Sequence, residues 1–217
     1  MASLTIENYV KAIYQLSAVA EGHSAATGKL AEALRVSPGT VTSMLKTLSE
    51  SGLAQYIPYE GARLTDAGRT LALRVLRRHR LIELFLVKTL NLTWDEVHEE
   101  AENMEHAVSD LLIDRIDAFL DYPATDPHGD PIPKADGTVA RSAGRRLSQL
   151  PVGARFRVAR VLDQSAEFLR YLTETGLKLA AEGTIVANRL ESGTITIEVG
   201  KQQTTLAHNI ADRLLVI

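Results

Sequence analysis

Cysteine is absent from all 217 residues. Its absence excludes disulfides and thiolate ligands, so any bound metal has to be held by carboxylate oxygen and imidazole nitrogen. That donor set tilts selection toward manganese or ferrous iron and away from Cys-built structural zinc. Long apolar runs are missing too: none approaches the roughly 18 residues of a membrane span. The N-terminus carries no signal-peptide pattern. A cytoplasmic protein with no membrane partner is expected. No HExxH helix, nucleophile elbow or phosphate loop is present, which counts against a metallohydrolase.

The length allows one or two domains and a sizeable core. The formal net charge of −3 hides an asymmetry. Residues 27–80 carry nine Lys/Arg against four Asp/Glu, whereas residues 81–136 carry three against fourteen. A basic module followed by an acidic one suggests a nucleic-acid face joined to a cation-collecting segment.

Apolar positions recur at helical spacing over residues 4–20, and a short helix follows over Thr27–Leu34. Ser37 is placed to cap the next helix, with Pro38 at its first position, where a missing N–H costs nothing. That helix is predicted to run to about Ser51 and to end at Gly52. Residues 54–58 and 62–64 then alternate as a hairpin. Helix, short helix, turn, helix and hairpin make a winged helix-turn-helix. Thr65 opens a long helix to about Leu90, and Thr93 with Glu96 forms a capping box for a helix carrying His98 to His106. A further helix over Val108–Leu120 sets Leu111, Leu112, Ile116, Phe119 and Leu120 along an apolar stripe, which suits a dimer face. Tyr122–Gly144, rich in Pro, Gly and Asp, reads as a linker. Beyond it, short strands are expected at 154–162, 183–189, 194–199 and 214–217, with one amphipathic helix near 165–173. The expected fold is therefore mainly α with a C-terminal all-β domain, divided as a winged head (1–64), a helical metal-binding and dimerisation domain (65–140) and a small barrel (141–217).

Two sets of residues carry chemistry. A recognition helix needs short polar side chains on its exposed N-terminal face. Ser37, Pro38, Gly39, Thr40, Thr42, Ser43 and Lys46 supply them, while Lys29, Arg35, Lys46 and Arg63 are candidate phosphate contacts. The second set is His98, Glu102, Glu105 and His106, with His79 and Glu83 four apart on the preceding helix. So many carboxylates close together would repel unless a cation neutralised them.

Several stretches, in order, resemble the diphtheria toxin repressor and manganese transport regulator family: Tyr9-Val10-Lys11-Ala12-Ile13-Tyr14, Leu34 to Val41, Leu64 to Arg69, Arg78 to Leu81, Val97 to Glu102, Glu105-His106 and Gly129 to Pro133. The resemblance covers about residues 4–133. The C-terminal segment is similar to the SH3-like (FeoA-like) domain of longer members. The resemblance implies a homodimer that binds double-stranded palindromic operator DNA with one or two Mn(II), or alternatively Fe(II), per subunit. Glu102, Glu105 and His106 match one metal site, with Asn8, or neighbouring Glu7, as its first-helix ligand. His79, Glu83 and His98 match a second site, to which Asp163, Gln164 and Glu167 are the candidate C-terminal additions. Lys11 stands where shorter manganese sensors place an acid. A metal-independent winged-helix regulator answering to an organic effector stays open as the alternative.

Overall fold

The computed structural model describes residues 4–19, 24–140 and 144–217. They fall into two compact units: Met1–His79 with Met104–Val108 and Pro133–Thr138, and Arg80–Asn103 with Ser109–Ile132 and Val139–Ile217.

The first unit contains α1 (Leu4–Val19), α2 (Thr27–Leu34) and α3 (Pro38–Glu50), then β1 (Ala54–Ile57) and β2 (Gly61–Leu64). Its core gathers Val10, Ile13, Leu30, Val41, Leu45 and Leu48, all fully buried. Removing each such side chain from water stabilises the head by about 1.5–3 kcal/mol before chain entropy is set against it. Ser37 caps α3 by accepting a hydrogen bond from Thr40 N–H at 3.1 Å. Antiparallel β1 and β2 pair from Ala54↔Leu64 to Ile57↔Gly61, and Ala25 bridges to Ala62.

Thr65 starts α4 (Asp66–Leu90) by accepting from Gly68 N–H at 3.1 Å. Thr93 N–H then donates to Glu96 Oε2 at 2.9 Å, the expected capping bond ahead of α5 (Val97–Met104). The helix predicted to reach His106 stops at Met104, and Glu105-His106 occupy the turn that follows. Two forces act there. The last turn of α5 has no basic residue against a negative helix end, and the Glu105 and His106 side chains are engaged by α1.

In the second unit, Ser109 caps α6 (Asp110–Phe119), accepting from Leu112 N–H at 3.2 Å. Ile113 and Ile116 face inward, whereas Leu111, Leu112 and Phe119 of the expected stripe are exposed. Residues 122–132 do not behave as a linker. Asp126 Oδ1 accepts from His128 N–H at 2.8 Å and from Asp130 N–H at 2.9 Å, closing a turn that buries all three side chains. Gly129 is obligatory in it: φ is +85°, and an added Cβ would lie 2.1 Å from the Ala159 carbonyl oxygen.

The C-terminal part is an antiparallel sheet in the order β3-β8-β4-β5-β6-β7. Its strands are β3 (Arg145–Arg146), β4 (Arg155–Val161), β5 (Glu182–Arg189), β6 (Thr194–Val199), β7 (Gln202–Ala207) and β8 (Leu214–Val216). The amphipathic helix α7 (Ala166–Glu174) and the short α8 (His208–Ala211) accompany it. The core joins Phe156, Val158 and Ile197 of the sheet to Phe168, Leu169 and Leu172 of α7. Strand β7 escapes periodicity because Gln202, Gln203, Thr204 and Thr205 offer no apolar alternation; it is held as an edge by six residue pairs with β6.

Candidate functional site

The first cluster lies in the first unit, where α1, α4 and the turn after α5 supply one side chain or more each. Glu105 is fully buried. Its Oε1 accepts from Lys11 Nζ at 2.6 Å, and its Oε2 lies 2.6 Å from His79 Nδ1. His106 Nδ1 meets Glu7 Oε2 at 2.6 Å, and His106 Nε2 lies 3.3 Å from Glu105 Oε1. Burial alone would raise the Glu105 carboxyl, but the hydrogen bond and charge of His79, joined by the Lys11 ammonium, hold it below the ordinary carboxylate range. The cluster therefore pairs two carboxylates with two imidazoles, and Lys11 occupies one carboxylate oxygen as a tethered cation. Adjacent Asn8 keeps its amide oxygen buried with no hydrogen bond among the described residues.

A second cluster lies in the other unit, around Glu83 of α4. Glu83 is fully buried, and its Oε1 is 3.4 Å from His98 Nδ1. Its Oε2 is 3.6 Å from His128 Nδ1, which lies 4.0 Å from Asp126 Oδ1. His128 Nε2 is 2.8 Å from the Trp94 carbonyl oxygen and so donates its proton there. That hydrogen bond leaves Nδ1 as the lone-pair nitrogen of the neutral ring, aimed at two carboxylates. An imidazole anchored through one nitrogen to a carbonyl, with the other turned inward, is how metal-ligating histidines are held. Donors sharing one divalent cation stand about 3–3.7 Å apart, given bonds of about 2.0–2.3 Å. The Glu83–His128 pair at 3.6 Å lies inside that range and His128–Asp126 at 4.0 Å a few tenths of an ångström outside it, so the three form a compact donor group that a cation would draw slightly together.

Electrostatics agree. Burial, then the charges of Asp130 and Glu83, push the Asp126 carboxyl up to about 7 against the pull of His128 and Arg80. For His128, burial lowers the pKa, but Glu83 beside Nδ1, then Asp126 and the Trp94 carbonyl, together raise it, so without metal Nδ1 takes up a proton more readily and a bound cation would displace it. Arg80 stands 3.6 Å from Asp126 and 3.3 Å from Asp130, and Arg160 pairs with Asp130.

Of the candidate ligands named from sequence, His79, Glu105 and His106 meet in the first cluster, and Glu83 and His98 in the second. Glu102 sits one turn from His98, its Oε1 3.8 Å from His98 Nε2. Gln164 donates to Asp130 Oδ2 at 2.8 Å, at the edge of the Glu83 cluster. Asp163 is turned to Arg213 at 2.6 Å and to Ser165 N–H at 2.9 Å, and Glu167 is exposed on α7. Asp126 and His128 were missed by sequence reasoning because the Pro- and Gly-rich segment suggested only a linker. The acid-x-His-x-acid spacing of Asp126, His128 and Asp130 was the available signal.

On α3, Ser37, Pro38, Gly39, Thr40, Ser43 and Lys46 are exposed, as are Lys29, Arg35 and Arg63. Thr42 is half-buried and donates to the Pro38 carbonyl at 3.0 Å. The Ser37 and Thr40 hydroxyls lie 2.9 Å apart and are bonded to each other. Arg63 Nε donates to Ser24 Oγ at 2.9 Å, and Lys29 pairs with Glu32 at 3.0 Å.

Residues 1–62 match the iron-dependent repressor N-terminal DNA-binding domain, and residues 65–134 match the iron-dependent repressor metal-binding and dimerisation domain. This chain belongs to the iron-dependent repressor family. Residues 145–217 of this repressor-family chain match the FeoA domain. It is 32% identical to the iron-dependent repressor IdeR of Mycobacterium leprae, over 98% of this chain and 96% of that one. It is 30% identical to the diphtheria toxin repressor of Corynebacterium efficiens, over 98% and 94%. Among solved structures, a manganese-dependent transcriptional repressor in complex with manganese superposes with a TM-score of 0.86 at 39% identity, covering 98% of this chain and 99% of that one. ScaR with bound Zn²⁺ superposes at 0.82 with 34% identity, covering 98% of each. The fold is thus helical DNA-binding and dimerisation domains followed by a FeoA-like antiparallel β domain, and the family is one of metal-dependent DNA-binding repressors. No described helix of this repressor is long and apolar enough to cross a membrane.

Proposed function

We propose that this chain is a manganese-responsive corepressor-type regulator of metal-uptake genes, with Fe(II) as the alternative ion and one or two ions per subunit. It acts as a homodimer on a palindromic operator, in the cytoplasm, and catalyses no reaction. The observation that carries the reading is His128, tethered through Nε2 to a carbonyl with Nδ1 facing Glu83 and Asp126. A Cys-free, oxygen-rich donor set favours the harder ions.

One site is assigned to Glu102, Glu105 and His106 with a first-helix ligand, Glu7 or Asn8. Glu7 already reaches His106, so a neutralised cluster holds α1 to the turn after α5. The other is assigned to His79, Glu83 and His98, extended by Asp126 and His128, with Asp163, Gln164 and Glu167 as the C-terminal candidates. A divalent ion adds positive charge to that which Lys11 and Arg80 already bring to these carboxylates. The residues then fix the winged head, so that Ser37, Pro38, Gly39, Thr40, Thr42, Ser43 and Lys46 enter a major groove, while Lys29, Arg35 and Arg63 flank the phosphates. The head is assigned to residues 1–64, the metal and dimerisation domain to 65–140 and the β domain to 141–217.

Leu111, Leu112 and Phe119 on α6 are exposed by 70%, 48% and 69%, so the dimer face is assigned there. Leu111→Glu is expected to give a monomer at micromolar concentration in sedimentation velocity; an unchanged dimer removes α6 from the interface.

The function is tested by retaining random-sequence duplex DNA on the purified protein, with Mn²⁺ and with chelator. Enrichment of a palindrome only with metal supports the reading. Equal enrichment in both supports the rival regulator with an organic effector. One observation favours that rival: a cavity of about 850 Å³ lined by Leu84, Val87, Leu92, Trp94, Phe119 and Leu120.

A further inference from the structure

The wing carries a side chain that neither packing nor turn chemistry accounts for. Glu60 N–H donates to the Ile57 carbonyl at 3.1 Å, closing a four-residue turn with Pro58 and Tyr59 at its centre. Tyr59 has φ +69°. With Pro at the second position and positive φ at the third, the geometry is that of a type II turn, whose third position is ordinarily Gly or Asn. A tyrosine there holds a left-handed backbone against its own Cβ. It recovers nothing from the fold, because the side chain is fully exposed. Ile57 beside it is 52% exposed, and Pro58 is exposed as well.

The base of the wing, by contrast, is tied down. Ala25 and Ala62 exchange two backbone hydrogen bonds at 2.8 and 3.0 Å, and a Cβ on Gly61 would lie 2.4 Å from the Ala25 carbonyl oxygen. A rigid base therefore presents a strained apolar and aromatic tip to solvent. Strained residues persist where the strain serves a contact. The tip is continuous, through β1, with the end of α3, the helix of the domain matched as DNA-binding.

We propose that Tyr59 is a DNA-contact residue, inserted by the wing along the minor groove beside the half-site that α3 occupies. Residues 57–60 include no Lys or Arg, and Glu60 is acidic, so the contact is not an ion pair with phosphate. The ring packs against the sugars that line the groove, and the hydroxyl is available to the acceptors on the groove floor. This inference rests on the DNA-binding reading above.

The test uses the full-length protein with Mn²⁺ and the duplex it enriches from random DNA. Tyr59→Ala is expected to weaken binding about tenfold while leaving the slope of log affinity against log salt unchanged. Arg63→Ala is expected to reduce that slope by about one, as a phosphate contact does. Tyr59→Gly separates contact from structure. Relief of the positive φ is expected to raise the melting temperature by about 2–4 °C, yet binding falls as in Tyr59→Ala. Affinity of Tyr59→Ala within twofold of wild type overturns the inference alone. A wild-type protein that enriches no sequence overturns it together with the functional reading.

Discussion

Glu105→Gln is expected to lower Mn²⁺ affinity by at least about 100-fold and to leave operator binding in Mn²⁺ no stronger than in chelator. Glu105 is the junction of its cluster, with one oxygen on Lys11, the other on His79, and His106 3.3 Å away. Gln keeps two polar atoms for those neighbours and leaves no cavity, although the buried Lys11 ammonium loses its countercharge, so the fold is retained at some cost in stability. Glu105→Ala strips a buried ammonium and imidazole of their carboxylate, and breaking such a pair costs about 3–5 kcal/mol. Both variants are therefore expected to lose DNA control, and the Ala variant to lose more thermal stability than the Gln variant, which still hydrogen-bonds its neighbours. Calorimetric Mn²⁺ titration and operator binding on both variants check this. Metal-dependent operator affinity within twofold of wild type in Glu105→Gln would remove Glu105 from the regulatory site.

The second large effect is on pH dependence. Asp126 titrates at about 7 in the fold, against about 3.9 in an unfolded chain. The folded state therefore holds a proton that the unfolded chain has already released, and stability falls as pH rises from about 4 to about 7. The ceiling is about 4 kcal/mol. His128 acts in the same direction. Its pKa is raised, so its contribution is fully present below about 6.5 and is lost as pH climbs through the folded value. Glu105 has the opposite sign, being depressed; its contribution is present above about 4.3 and lost on acidification. Asp126 and His128 thus act in the same direction between about pH 5.5 and 8. Urea unfolding of the metal-free protein is expected to show stability declining across that window. Mn²⁺ is expected to flatten the slope, and its affinity to rise with pH because binding expels protons. Asp126→Asn should abolish most of the metal-free slope. Stability that is flat or rising with pH in the wild type contradicts the buried, crowded Asp126.

The helical plan was legible because its signals are local. Ser37 with Thr40 caps α3, Thr93 with Glu96 caps the approach to α5, and apolar spacing marks α1 and α4. The carboxylate–imidazole clusters were only half legible. Histidines and acids at helical spacing identify His79, Glu83 and His98. Glu105 and His106 were placed on a helix that ends before them, so their geometry comes from tertiary contact with α1. Glu7 and Asn8 differ by about 100° around that helix. Packing of Val10 and Ile13 sets the rotation, and it turns Glu7, not Asn8, onto His106. Asp126 and His128 were hidden for another reason. Pro and Gly report that a turn is present, but not that Asp126 closes it and turns His128 toward Glu83. Strand β7 was invisible because an edge held by backbone pairing needs no apolar pattern.

The central claim is that metal and operator DNA are coupled through this chain, and a thermodynamic cycle tests it most directly. Operator affinity is measured with Mn²⁺ and with chelator, and Mn²⁺ affinity with and without the enriched operator. Each ligand is expected to tighten the other by the same factor, about 5- to 150-fold. Operator affinity equal in Mn²⁺ and in chelator would contradict it.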